Sequence, residues 1–148
     1  MEARRKRAGT VIAEYVLDAC AIIALMTDEV GAGVVYDVID RAYTGKSLVY
    51  MNKLNLLEVY YGLYREYGRI FAGETLADIK RLPIAIISEM TDAVFEESAR
   101  LKANYKISLA DSIALAEASV SGASLITSDH HELDIIDQNE KIHFLWIR

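Results

Sequence analysis

Short apolar runs alternate along the chain with longer segments whose hydrophobic residues recur at helical spacing. The short runs predict buried strands at 15–18, 47–51, 84–88, 124–127 and 142–147. The longer segments predict helices at 31–45, 54–68, 75–82, 91–105 and 108–122, with one more after residue 129. The order β-α-β-α-α-β-α-α-β-α-β is typical of an α/β fold. It predicts a three-layer α/β/α sandwich, with a mainly parallel sheet of about five strands between two helical layers.

The composition fits one globular domain. Of 148 residues, 53% are hydrophobic and 26% are charged, the balance of a folded protein rather than a disordered one. The apolar runs are too short to cross a bilayer, and the single cysteine, Cys20, excludes an intramolecular disulfide framework. Glu14 and Asp18 interrupt the apolar segment behind the basic N-terminus, which argues against a signal peptide. We therefore expect a cytoplasmic protein with no membrane segment.

The first 13 residues differ from the rest of the chain. Arg4, Arg5, Lys6 and Arg7 form a basic block, and such blocks are usually solvated. We therefore expect residues 1–13 to be a mobile basic tail and residues 14–148 to form a single domain. The tail could add salt-dependent contacts to phosphate groups.

Four acidic residues fall where a parallel sheet would gather them. Asp18 ends the first strand, and Asp129 follows the fourth by two residues. Asp111 lies in the first turn of one predicted helix, and Glu58 lies among apolar neighbours on another. Ligand sites in open parallel sheets form at the carboxyl ends of the strands. Each acid also has a structural explanation, because Asp111 follows Ser108 at capping-box spacing and an aspartate can simply end a strand.

Together these acids indicate a metal site. Like charges brought close together repel, and a fold tolerates them mainly where a cation compensates. Hard oxygen ligands without thiolates favour Mg²⁺ or Mn²⁺ over zinc. The formal net charge of −6 argues mildly against a simple nucleic-acid-binding protein, which usually has a basic surface. A carboxylate site that binds divalent cations would account for part of that charge.

Four motifs resemble, in order and spacing, those of the PIN-domain ribonucleases, most closely the VapC-type toxins of toxin–antitoxin pairs. The motifs are "YVLDACAIIALM" at 15–26, "NLLEVYYGL" at 55–63, "ISLADSIALAEA" at 107–118 and "LITSDHHELD" at 125–134. The resemblance extends over nearly the whole chain, from about residue 14 to 147. Any one motif is weakly specific, whereas the ordered set of four is fairly specific.

The resemblance implies a metal-dependent endoribonuclease that hydrolyses single-stranded RNA and leaves a 5′-phosphate and a 3′-hydroxyl. Its metal ligands for Mg²⁺ or Mn²⁺ would be Asp18, Glu58, Asp111 and Asp129, and Thr127 would support the metal or its water. Similar proteins are commonly homodimers and are often inhibited by a small antitoxin protein. The alternative is a PIN-like protein that binds or processes RNA with little or no nuclease activity.

Two features of the motifs raise separate questions. The family usually has serine, threonine or asparagine at the position of Cys20, and a neutral thiol is a poor ligand for a hard cation. We interpret Cys20 as a small buried residue rather than a nucleophile, because no basic residue nearby in sequence lowers its pKa. Adjacent His130 and His131 point in different directions on a helix and lack zinc-site spacing, so we predict that they begin a helix. One of them could contact RNA phosphate.

Tyrosines are concentrated on the helix predicted at 54–68, at positions 60, 61, 64 and 67. Tyrosine is enriched at protein–protein interfaces, and one core face does not need four of them. We hypothesise that some of these tyrosines lie at a dimer or antitoxin interface.

Overall fold

The computed structural model describes residues 6–7 and 10–148. Its strands are β1 (Lys6–Arg7), β2 (Thr10–Val11), β3 (Ala13–Leu17), β4 (Ser47–Asn52), β5 (Ala85–Ile87), β6 (Ser124–Thr127) and β7 (His143–Trp146). Its helices are α1 (Ala19–Met26), α2 (Ala32–Tyr43), α3 (Lys53–Tyr67), α4 (Arg69–Arg81), α5 (Asp92–Asn104), α6 (Leu109–Ser121) and α7 (His130–Asn139).

Strands β3 to β7 form one parallel sheet in the order β5-β4-β3-β6-β7. The predicted α/β fold with a parallel sheet of about five strands is thus confirmed. The chain builds the sheet outward from β3 through β4 to β5, and then crosses to β6 on the other side of β3. In such sheets the crevice at this reversal, outside the carboxyl ends of the strands, is the usual ligand site. It lies between the ends of β3 and β6.

Two hydrophobic cores flank the sheet, because successive side chains on a strand point to opposite faces. Leu17 and Ile126 pack with helices α1 to α4 on one face, and their neighbours Val16 and Leu125 pack with α5 to α7 on the other. The central strands are therefore buried on both sides. This burial holds the carboxyl ends of β3 and β6 in a fixed position relative to each other.

The sequence pattern missed one helix and shortened another. Helix α1 has almost no polar residues, so its sequence lacks the alternation of faces that marks an amphipathic helix. Helix α4 begins at Arg69, six residues before the predicted start at 75. Gly68, at φ +90°, separates α3 from α4 by a single residue, a backbone conformation that glycine adopts without strain.

The predicted basic tail lies largely outside the described residues, since residues 1–5, 8 and 9 are not among them. Lys6–Arg7 pairs with Thr10–Val11 as a two-stranded antiparallel ladder. The tail over residues 1–13 and the domain boundary after it stay predictions. Within the described part of the chain, every helix is too short or too polar to span a lipid bilayer.

A buried polar pair links the end of β4 to α6. Glu117 is buried, and its Oε1 accepts a hydrogen bond of 3.0 Å from Asn52 Nδ2. We expect Asn52→Ala to lower the free energy of unfolding by about 1–3 kcal/mol, because it leaves a buried carboxylate without its donor and removes the side-chain oxygen that caps α3 by accepting from Leu54 N–H. Urea denaturation would measure this. Adding Glu117→Gln should recover part of the loss, and an unchanged midpoint in Asn52→Ala would contradict the assignment.

Candidate functional site

Three helices begin at the carboxyl edge of the sheet, and each has an aspartate at its N-cap or in its first turn. Asp18 caps α1, where its carboxylate accepts a hydrogen bond of 3.1 Å from Ala21 N–H. Asp129 caps α7 by accepting a hydrogen bond of 3.2 Å from Glu132 N–H. Asp111 lies in the first turn of α6. The helix dipoles favour negative charge at these positions and partly offset the repulsion between the acids.

The carboxylate of Asp111 is not used in a capping box. Ser108 caps α6 by accepting a hydrogen bond from Asp111 N–H at 3.1 Å, as the spacing suggested. The reciprocal bond of a capping box would run from Ser108 N–H to Asp111, but Ser108 N–H donates to Glu132 Oε2 at 3.2 Å instead. A residue from another helix thus completes the cap. The Asp111 side chain is left available to the site.

Three carboxylates form the tightest part of the site. Asp111, Asp129 and Glu132 each place one oxygen within 4.8 Å of the others. Sequence analysis predicted the first two as ligands and missed Glu132. One feature of the sequence could have indicated Glu132. It lies three residues after Asp129, which caps α7, and residues at this spacing place their side chains at the same end of a helix.

Asp18 is 2% exposed and is fixed by hydrogen bonds from two side chains. Thr127 Oγ1 donates to its Oδ2 at 2.5 Å, and Cys20 Sγ donates to its Oδ1 at 2.8 Å. Thr127 Oγ1 also accepts a hydrogen bond of 3.1 Å from Asp129 N–H. Thr127 therefore connects two of the predicted ligands, one after β3 and one after β6.

We interpreted Cys20 as a small buried residue, but it is only partly buried and it also forms hydrogen bonds. Its sulfur donates to Asp18 and accepts from the backbone and hydroxyl of Ser128, both at 3.3 Å. Burial, together with the negative charge of Asp18, raises the pKa of the Cys20 thiol to about 12. The sulfur is therefore a neutral thiol, which orients the carboxylate as a hydroxyl would and is a poor nucleophile.

The acids interact with one another electrostatically. Burial raises the pKa of Asp18, and the charge of Asp129 adds to this effect. Burial raises the pKa of Asp111 to about 8, assisted by its hydrogen bond to Glu132 and by the neighbouring carboxylates. Half-buried Glu58 has a raised pKa through burial and then through the charges of Asp18, Glu132 and Asp129.

We call these five acids the acidic pocket: Asp18, Glu58, Asp111, Asp129 and Glu132. Asp18 and Asp129 interact electrostatically with each other and with both Glu58 and Asp111, although Asp18 and Glu58 lie outside the 4.8 Å trio. Only oxygen donors make up the trio, and crowding of carboxylates at the site raises the energy of their ionised forms. This donor set fits a hard divalent cation such as Mg²⁺ or Mn²⁺.

Asn55 links α3 to the start of α6 through a side-chain hydrogen bond. It is fully buried, and its Nδ2 donates to the carbonyl oxygen of Ala110 at 3.0 Å. Asn55 lies one turn before Glu58 on α3, and Ala110 precedes Asp111. This bond therefore fixes the helices that position those two acids. Sequence analysis did not select Asn55, since an asparagine within a helix has no distinctive pattern.

The two histidines begin α7, as predicted, and His130 has partners at both ring nitrogens. Its Nδ1 lies 2.7 Å from Asp134 Oδ1, and its Nε2 lies 2.7 Å from the carbonyl oxygen of Arg148. Within the described residues, the group of acids close enough to share a metal contains no histidine.

Comparison with known proteins identifies a matching family and several similar folds. The PIN domain matches residues 15–138 of the chain. No curated protein matches it.

Several solved structures share the fold at low sequence identity. VapBC2 from Rickettsia felis, bound to a DNA fragment from its promoter, has a TM-score of 0.71 at 12% identity, covering 89% of this chain and 97% of that one. DNA-bound VapBC from Salmonella typhimurium has a TM-score of 0.67 at 12% identity, covering 93% and 100%. VapC20 from Mycobacterium tuberculosis, a toxin that cleaves the sarcin–ricin loop, has a TM-score of 0.57 at 16% identity, covering 75% and 86%.

Proposed function

This chain belongs to the PIN-domain family, and on that premise we propose that it is a metal-dependent endoribonuclease acting on single-stranded RNA. The observation that carries the proposal is the group of three carboxylates within 4.8 Å of one another, together with Asp18 and Glu58, whose charges interact with it, near the crevice between β3 and β6. A structural role as helix caps explains the backbone positions of the aspartates but not their crowding. Carboxylates gathered in this way suit a divalent cation and, through it, a phosphodiester.

The ligands we propose are the predicted set of Asp18, Glu58, Asp111 and Asp129, with Glu132 added. When bound, a divalent ion would neutralise charge on the phosphate and lower the pKa of the attacking water. Asp111, Asp129 and Glu132 would hold the ion directly, because their oxygens already lie close together. Asp18 and Glu58 would act directly or through water.

The remaining residues prepare the site for in-line attack on phosphorus. Thr127 and Cys20 fix both oxygens of Asp18, so its geometry is set before substrate binds. Glu58 is half-buried with a raised pKa, which suits it to accept a proton from the attacking water. Breakage of the P–O3′ bond would leave a 5′-phosphate and a 3′-hydroxyl. Without a cation, the charge of the pocket would repel the phosphate backbone.

The test of the proposed function is cleavage of a labelled single-stranded RNA before and after metal removal. We expect cleavage with Mg²⁺ or Mn²⁺, none in EDTA, and recovery when Mn²⁺ is returned in excess. The products should carry 5′-phosphates, so a 5′-phosphate-dependent exonuclease should degrade the downstream fragments. RNA that is bound tightly but left intact under every metal condition would support the alternative, a PIN-like RNA-binding protein with little nuclease activity.

We further propose that the enzyme is the toxin of a toxin–antitoxin pair. The similar structures from Rickettsia felis and Salmonella typhimurium are VapBC complexes, which supports a partner protein for this chain. A negatively charged pocket that cleaves cellular RNA would need control, and a small protein that covers it would provide that control.

An exposed aromatic surface on α3 and α4 fits a protein partner or a second copy of the chain. Tyr61, Tyr64 and Tyr67 are exposed along α3, and Phe71 of α4 packs against Tyr67. Tyr60 is partly buried against the core, so not all four tyrosines are available. Aromatic side chains of this kind supply much of the binding energy at interfaces.

We expect the double variant Tyr61→Ala and Tyr64→Ala to weaken self-association or antitoxin binding at least ten-fold, the effect of losing about 1.4 kcal/mol. Analytical ultracentrifugation would measure the dimer, and titration calorimetry would measure antitoxin binding. Tyr36→Ala, which removes an exposed tyrosine of α2, is the matched control. If the double variant behaves like wild type in both assays, this surface is not an interface.

Cys20 should be replaceable by serine but not by alanine. Serine keeps a donor to Asp18, so Cys20→Ser is expected to cleave RNA within about three-fold of wild type. Cys20→Ala removes the donor, and the loss of a group that orients a ligand typically costs about 10–100-fold. Comparing the Mn²⁺ dependence of cleavage in both variants would test this. Equal activity in the two would exclude an orienting role for the thiol.

A further inference from the structure

Three aromatic rings form a stack on β7 and α7. The rings of Phe144 and Trp146 are nearly parallel, at 7°, with centroids 5.2 Å apart. The ring of His130 stacks on Trp146 at 13° with a centroid distance of 3.9 Å. Trp146 Nε1 donates to Asp137 at 3.0 Å, which fixes the middle ring. We call these three residues the aromatic stack.

The aromatic stack leads toward the acidic pocket. Phe144 precedes Trp146 on a strand that runs parallel to β6, and Trp146 lies in register with Thr127. His130 directly follows Asp129 at the start of α7. The aromatic stack therefore extends along β7 toward the carboxyl edge of the sheet. His130 lies at that edge, next to the acidic pocket.

The exposed face of His130 can stack but not coordinate. Partners at Nδ1 and Nε2 already occupy both ring nitrogens of His130, and the phosphate contact suggested for one of the two histidines stays a prediction. Trp146 covers one face of the ring, yet 47% of the His130 side chain is exposed. Because Trp146 covers one face, we infer that the exposed part of the ring includes the opposite face, which the partners of both nitrogens hold in a fixed orientation. A planar partner is the ligand that such a face fits.

We propose that His130, supported by Trp146, is a stacking platform for one nucleobase of the RNA beside the scissile phosphate. The inference rests on the proposed function and adds a binding subsite to it. Base stacking on protein rings tolerates any sequence, since every base has a π-face. The platform would orient single-stranded RNA across the acidic pocket without selecting a sequence.

The test measures binding of a single-stranded ten-nucleotide RNA analogue with non-hydrolysable linkages at saturating Mg²⁺, so that the proposed site holds its cation and cleavage is stopped. Trp146 is the only tryptophan of the chain, so its fluorescence reports on the aromatic stack directly. We expect His130→Ala to weaken RNA binding about ten-fold. His130→Phe should restore most of the affinity, because it keeps a ring without the nitrogens. His143→Ala, at an exposed histidine of β7 outside the aromatic stack, should bind like wild type.

An abasic ribose-phosphate oligomer of the same length separates stacking from charge. Its affinity should be equal for wild type and His130→Ala, since it has no base to lose. Wild-type RNA affinity in a folded His130→Ala, or no recovery in His130→Phe, would overturn the platform while leaving the nuclease proposal intact. If the wild-type protein neither binds nor cleaves RNA, both proposals fail.

Discussion

Replacing Asp18 by asparagine is expected to reduce RNA cleavage about 10³-fold. The amide keeps the size of the carboxylate but removes its charge, and metal-assisted stabilisation of phosphoryl transfer is worth several kcal/mol, with each 1.36 kcal/mol giving a factor of ten in rate. Asp18 is almost fully buried, and hydrogen bonds fix both of its oxygens, so no neighbouring acid can move into its place. The rate constant should be measured at saturating Mn²⁺ under single-turnover conditions.

Asp40→Asn provides the matched control, because it makes the same chemical change at an exposed position of α2. It should cleave at the wild-type rate. The melting temperature of each variant must be measured in parallel, so that loss of folding is separated from loss of catalysis. If folded Asp18→Asn cleaves RNA within ten-fold of the wild-type rate, Asp18 is not a ligand of the catalytic metal.

Raising the pH from about 5 to 8 is expected to destabilise the metal-free protein by an amount on the order of 2 kcal/mol. Burial raises the pKa of Asp111 from its ordinary 3.8 to about 8, so the folded protein holds a proton that the unfolded chain has released. Stability is therefore present below pH 3.8 and is lost progressively as the pH rises toward 8. Glu132 has a lowered pKa through its hydrogen bond from Asp111, and its contribution is lost only under more acidic conditions.

The variant Asp111→Asn isolates this effect. Without the buried carboxyl it should lose less stability over the same pH range, and at pH 8 in EDTA it should be more stable than wild type. Glu58 and His130 are present in both proteins, so their own titration cancels in the comparison. Mn²⁺ should stabilise wild type at pH 8 and have a much smaller effect on the variant. Urea denaturation with and without Mn²⁺ measures all of these quantities. If wild type and Asp111→Asn show the same dependence of stability on pH, the loss of stability does not come from Asp111.

Much of the fold was predictable, because short runs of apolar residues between amphipathic segments identify buried strands well. Each of the five apolar runs became a strand of the parallel sheet, within two residues at each end. Helix α1 was not predictable in this way, since a segment buried on nearly every side has no polar face to give it a period. The start of α4 was hidden because a single glycine separates it from α3.

The sequence indicated which acids belong to the candidate site, but it did not indicate the contacts between them. Strand ends indicated Asp18 and Asp129, since position in a parallel sheet follows from chain order. Glu132 could not be ranked above other surface acids until α7 placed it against Asp111 and Ser108. The role of Cys20 was also hidden, because its partners Thr127 and Ser128 are more than 100 positions away in sequence.

The most direct test of the metal-dependent nuclease is a titration of Mn²⁺ into the metal-free protein, with bound ion and RNA cleavage measured on the same samples. Electron paramagnetic resonance of free Mn²⁺ gives the occupancy. We predict that cleavage and occupancy rise together in wild type, and that Asp129→Asn loses both while Asp40→Asn loses neither. Undiminished cleavage in EDTA, or full cleavage by Asp129→Asn without bound Mn²⁺, would contradict a carboxylate metal site as the centre of this enzyme.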